Sequence, residues 1–265
     1  MLAEAIHSLA DTTNQVFLLI GRKRSRKEAN EIHAFGYGKE EYFWGFLVAV
    51  LLFFLGGCYS IYEGIHKYLH PEPIDNYIYI FIVLACALIL EYKSFSVAFG
   101  EFRKTKTKGI IQSVKDSTDT NLFVILVEDF SALTGLTIVL ITTLLSLIDQ
   151  FFDIVGTFLV GSLLVIMSYF LANELRKLMV GESVPRQMRN DIRSIIKKYS
   201  LIRHINNIRS MYIGNNNFIL LVSVDVEDTC KGGAIEILTE KIKDEITRNY
   251  SNAKYIYIDV KDSDA

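Results

Sequence analysis

Apolar residues come in long unbroken runs up to about residue 180, and in short alternating or helically spaced sets after it. A lipid core about 30 Å thick takes roughly 20 mostly apolar residues of helix, because backbone groups left unpaired in hydrocarbon are too costly. Five stretches have that length and character: about 1–20, 43–65, 77–98, 122–148 and 152–171. They predict a polytopic α-helical membrane bundle over residues 1–183. The second and fourth are nearly free of charge, whereas the first carries Glu4, His7 and Asp11. Ionisable groups at membrane depth face a protein interior or water, and mark a functional site by default.

Beyond Gly181 the pattern changes to that of a soluble α+β unit spanning 184–265, with the order αββαβ. Pro185 suits a helix opening, and Ile192, Ile195 and Ile196 form an apolar stripe over 190–199. Two alternating segments, 205–213 and 218–226, flank Gly214-Asn215-Asn216-Asn217, residues that tolerate the left-handed backbone of a hairpin turn. Ile235, Leu238, Ile242 and Ile246 recur at helical spacing over 233–249, and 255–260 reads as the closing strand. A unit of about 80 residues buries little apolar surface alone, so pairing with a second copy would add to its stability.

Composition strengthens the membrane reading, since 51% of the 265 residues are hydrophobic. The net charge of −2 gives no bulk field for nucleic acid, which is therefore not an expected partner. Cys58, Cys86 and Cys230 are far apart, without CxxC spacing, and read as packing residues rather than a thiolate site or disulfide framework. Local charge sets orientation. Arg22, Lys23, Arg24, Arg26, Lys27 and Lys39 follow the first span, and Arg103, Lys104, Lys106, Lys108 and Lys115 follow the third; the other two loops hold Lys67 alone. Lys and Arg in short loops resist translocation, so both basic segments and the tail are expected in the cytosol. This arrangement starts Met1 on the outer side with nothing before it to carry it there, so one further helix upstream is expected.

The chemistry concentrates in two spans. His7 and Asp11 are four residues apart and share a helix face, with Glu4 and Asn14 on or near it. An imidazole and a carboxylate together supply half of a tetrahedral site for zinc or a similar cation. The fourth span holds the adjacent carboxylates Glu128 and Asp129. The plainer alternative is a hydrogen-bonded His7–Asp11 pair that only holds helices together.

The runs MLAEAIHSLADTTNQ, HAFGYGKEEYFW, GGCYSIYEGIHKYLHPEP and VEDFSALTGL together resemble the cation diffusion facilitators, in particular the bacterial branch similar to zinc transporter 9. The resemblance covers essentially the whole chain. It implies a homodimer of six-span subunits with a ferredoxin-like cytosolic domain, exporting a divalent cation, zinc first, in exchange for protons. It places the protein in the bacterial inner (plasma) membrane and aligns the five spans here with the family's second to sixth. His7 and Asp11 match the family's HxxxD, and Asp129 matches the closing Asp of the corresponding later motif. Ile125 stands where the family commonly has His or Asp, which leaves Glu128, a water or Asn14 as the fourth ligand. Successive helical residues diverge by about 100°, so Glu128 and Asp129 need not both face one ion, and Asp129, which carries the resemblance, ranks ahead of Glu128.

Other residues have simpler readings. Glu91 either joins a proton path or balances Lys93, and Asp153 caps a helix. His33, Gly36 and Gly38 suit a turn better than a metal site; His66 and His70 read as interfacial; His204, Asp225 and Asp259 give little local support for regulatory metal in the tail. The donor set also admits manganese, iron or cobalt as transported ion, and no prosthetic group is expected. No nucleophile beside a base and no HExxH suggests an enzyme. The rival to transport is a membrane-anchored metal sensor or scaffold.

Overall fold

In a computed structural model, the described backbone covers residues 2–70, 76–104, 120–214 and 216–262, without the side chains of 2–11, 102, 104, 120 and 121. The chain divides into two compact units, one comprising Met1–Arg24 and Glu40–Arg176, the other Ser25–Lys39 and Lys177–Ala265.

The first unit is helical. Helix α1 spans Leu2–Ser25, α2 Glu40–Leu51, α3 Tyr59–Leu69, α4 Tyr77–Lys104, α5 Thr120–Ser146 and α6 Phe151–Val180. A π-helical stretch, Leu52–Cys58, joins α2 to α3, so that Glu40–Leu69 runs as one 30-residue helix. Among the described residues, four helices are long and apolar enough to cross a membrane: Glu40–Leu69, Tyr77–Glu101, Leu122–Ser146 and Phe151–Val180. The first predicted stretch also forms a helix, of 24 residues, Leu2–Ser25, whose described side chains begin at Thr12.

Small residues let the helix Glu40–Leu69 and α6 approach closely. A Cβ added to Gly57 would lie 2.6 Å from the Val165 side chain, and one added to Gly161 would lie 2.9 Å from Ile61. Such contacts replace the hydrophobic driving force that lipid removes. Leu18, Val48, Val124, Val127, Leu171 and Leu175 form one buried cluster that ties α1, α2, α5 and α6 together.

The second unit has the αββαβ order expected. Helix α7 spans Arg186–Ile196, β1 Ile202–Gly214, β2 Asn217–Val226, α8 Gly232–Asn249 and β3 Ala253–Val260. Pro185 directly precedes α7, which starts four residues earlier than the apolar stripe alone suggests. The sheet order is β1-β2-β3, with β1 and β2 antiparallel and β2 and β3 parallel across the α8 connection. Gly214 and Asn216 take positive φ at the hairpin, as their residue types allow. Phe218, Leu220, Val222, Val224 and Val226 alternate onto the core, where Ile192, Ile196, Ile242 and Ile246 meet them. Lys198 and Tyr199 both reach Glu245, at 2.6 and 2.8 Å, linking the end of α7 to α8.

The segment Ser25–Lys39 packs within this second unit. Gly38 lies against the backbone of Ile213 and Gly214, Phe35 meets Tyr255 edge-on at 5.3 Å, and the Lys39 ammonium donates to Met179 O at 3.2 Å. Burial holds the Lys39 pKa below its ordinary value. All three cysteines are free thiols.

Candidate cation site in the membrane helices

Helix α1 brings Asn14 and Leu18, one turn apart, into the bundle, where they are 1% and 6% exposed. The Asn14 amide donates from Nδ2 to Glu128 Oε1 at 2.8 Å, fastening α1 to α5. One residue on, Asp129 is buried and accepts from Ser94 Oγ at 2.9 Å, fastening α5 to α4. The two neighbouring carboxylates therefore turn to different helices, as a 100° step requires. Both nevertheless border one cavity of about 480 Å³, which Gln15, Arg22, Glu91 and Ile125 also line.

Ile125 packs between the cluster that holds α1, α2 and α6 and a smaller one of Ala98 and Leu126 with Phe95 and Phe99 from α4. Hydrocarbon thus stands one turn before Asp129, where a fourth ligand was in question. His7 and Asp11 lie on α1, but their side chains are outside the described residues. Among the described residues no group of three or more His, Cys, Asp and Glu could hold a metal ion.

A second cavity of about 380 Å³ follows the C-terminal half of α5. Glu63, Lys67, Asp153 and Thr142 border it, and Ala132 borders both cavities. Lys67 Nζ contacts Asp153 Oδ2 at 2.8 Å and Thr157 Oγ1 at 3.2 Å. Asp153 is therefore an ion-pair partner rather than the helix cap expected; Asp149 accepts the Phe151 backbone N–H at 2.9 Å instead. The π-helical stretch shapes this cavity's wall through Leu55 and Gly56. Such wide turns are frequent at functional sites.

Of the other sequence candidates, Glu91 borders the first cavity, while Lys93 is exposed. The His33 ring stacks on Tyr37 at 4.1 Å, and its backbone N–H donates to Asn30 Oδ1, so the turn reading suffices there. His66 and His70 have ring centroids 5.2 Å apart at the end of α3. His204 and Asp259 line one shallow depression on the sheet, and Asp225 is buried opposite His204 in the ladder. Sequence reasoning missed Ser94; its signal was the i+3 spacing from Glu91 on α4. It also missed the Lys67 partnership with Asp153.

Residues 1–180 match the family described as the cation efflux transmembrane domain. The chain is 30% identical over 234 residues to the mitochondrial proton-coupled zinc antiporter SLC30A9 of Xenopus laevis, a match covering 86% of this chain and 42% of that protein. It is 25% identical over 230 residues to metal tolerance protein C4 of Arabidopsis thaliana, covering 85% of the chain and 50% of the relative. It is 22% identical over 260 residues to the manganese efflux system protein MneP of Bacillus subtilis (strain 168), covering 97% and 84%. The chain thus spans less than half the length of the zinc antiporter.

Proposed function

We propose that this chain, which belongs to the cation diffusion facilitator family, exports a divalent metal cation across its membrane in exchange for protons, with zinc as principal cargo. The observation that carries the reading is the cavity shared by Glu128 and Asp129, tied to α1 by Asn14 and to α4 by Ser94. Followed back along α1 by helical spacing, the buried stripe of Leu18 and Asn14 arrives at Asp11 and His7. His7, Asp11 and Asp129 are the proposed ligands, with Glu128 beside them. The activity proposed is transport, and no residue is assigned a catalytic role.

Metal binding requires neutral imidazole and ionised carboxylates, so protons compete directly with the ion for the same atoms. His7 is the natural coupling residue, because imidazole titrates near neutrality. The two cavities support alternating access: one follows α5 from the Arg22 side to Ala132, the other continues from Ala132 to the Lys67–Asp153 pair. With both basic segments in the cytosol, the first cavity is the entry side and the second the release side. We place the protein in a bacterial plasma membrane, its tail cytosolic, as a homodimer. The zinc antiporter and manganese efflux relatives support a transported ion rather than a resident one.

Asp129→Asn and Glu128→Gln, measured as zinc flux per folded protein in vesicles, test the ligand order. Asp129→Asn should cost at least about tenfold more flux than Glu128→Gln, since metal ligation loses more than an outer contact does. The reverse order would move the ion onto Glu128.

A further inference from the structure

Asn14 is 1% exposed, and among the described residues half of its amide has no partner: Nδ2 donates to Glu128, while Oδ1 is fully buried and accepts no hydrogen bond there. A carboxylate oxygen can only accept, so the amide must give Glu128 its NH₂ and turn its oxygen away. Buried acceptors in native proteins rarely go unmatched, and an unmatched one at a polar site calls for a donor, an ion or a water. Ile125, which borders the same cavity as Asn14's partner Glu128, contributes hydrocarbon where the ligand set proposed above lacks a member.

We propose that Asn14 Oδ1 completes the coordination of the transported ion in place of a side chain at 125, and that this neutral oxygen makes Mn²⁺ a cargo beside Zn²⁺. The inference rests on the central site of the preceding subsection. Carbonyl oxygen is a hard donor that suits manganese, whereas zinc favours imidazole nitrogen and thiolate in a closed tetrahedron. The same side chain prepares its neighbour: the hydrogen bond from the amide fixes the direction of the Glu128 carboxylate. One amide thus orients an anion with its NH₂ and meets the cation with its oxygen.

The test is Mn²⁺ and Zn²⁺ binding to the purified full chain by titration calorimetry, with thermal unfolding followed in parallel, for wild type, Asn14→Ala, Asn14→Ser and Asp11→Asn. Asn14→Ala should weaken Mn²⁺ by about tenfold or more and Zn²⁺ by clearly less, within the range seen when metal-site supports are removed. Asn14→Ser keeps an oxygen in a shorter side chain and should lie between; it also serves if Asn14→Ala does not fold. An equal loss for both ions, or no loss, overturns the role of the Asn14 oxygen. Binding that survives Asp11→Asn overturns the central site itself, so the two failures are told apart.

Discussion

Asp11→Asn should reduce metal flux per folded protein about a hundredfold or more, at the upper end of what altering a metal site costs, while the protein still reaches the membrane and unfolds at a near-normal temperature. A divalent ion leaving water needs anionic ligands to offset its desolvation, and asparagine keeps the shape of aspartate while losing its charge. Asp11 precedes Asn14 by three residues on α1, and Asn14 is buried and donates to Glu128, so the ligand set proposed above puts a change at 11 at the ion's site. If the carboxylate only held helices together, the same substitution would lower stability and flux in proportion. Vesicle flux normalised to folded protein, measured beside thermal unfolding, separates these outcomes.

Phe218→Ala should destabilise the second unit by about 3–5 kcal/mol, the usual cost of deleting a buried aromatic side chain. Phe218 is fully buried at the start of β2 and meets Tyr212 edge-on with ring centroids 6.3 Å apart. At about 4–8 °C per kcal/mol for a domain of this size, its thermal transition should fall by roughly 15 °C or more. Leu221, on the opposite face of the same strand and 48% exposed, provides the contrast. Leu221→Ala should shift the transition by only a few degrees, and equal shifts would mean that the register of β2 is misread. Calorimetry or far-ultraviolet dichroism during heating reads both.

The elements with one dominant periodicity were legible from sequence. Long apolar runs gave α2 through α6 within a few residues at most ends, although α6 continues to Val180 because Asn173 to Lys177 extend the helix beyond its apolar run. Period-two alternation placed β1 and β2, and the Gly-Asn-rich turn placed their hairpin. The π-helical stretch was not legible, because Leu52 to Cys58 carries the same apolar composition as its α-helical flanks. In the candidate site, local spacing on α1 and the adjacent carboxylates of α5 pointed to two helices that the Asn14–Glu128 hydrogen bond joins. The pairs that build it were hidden, since Asn14 lies 114 residues from Glu128, Lys67 86 from Asp153 and Ser94 35 from Asp129. Helical spacing relates residues a turn apart and carries no information on such partners. Asp153 shows the consequence: near a helix start it reads locally as a cap, and only the arrival of Lys67 from another helix makes it an ion-pair partner.

The central claim is coupled exchange of a divalent cation for protons, and the direct measurement is metal uptake by vesicles containing the purified chain, with interior pH recorded at the same time. Across a panel of zinc, manganese, iron and cobalt, an imposed proton gradient should drive zinc uptake against its own gradient, and zinc added without a pH difference should move protons the opposite way. Protein-dependent proton movement should vanish in Asp11→Asn. Zinc uptake indifferent to the pH gradient, or no metal flux at all from a folded and membrane-inserted protein, would contradict the account.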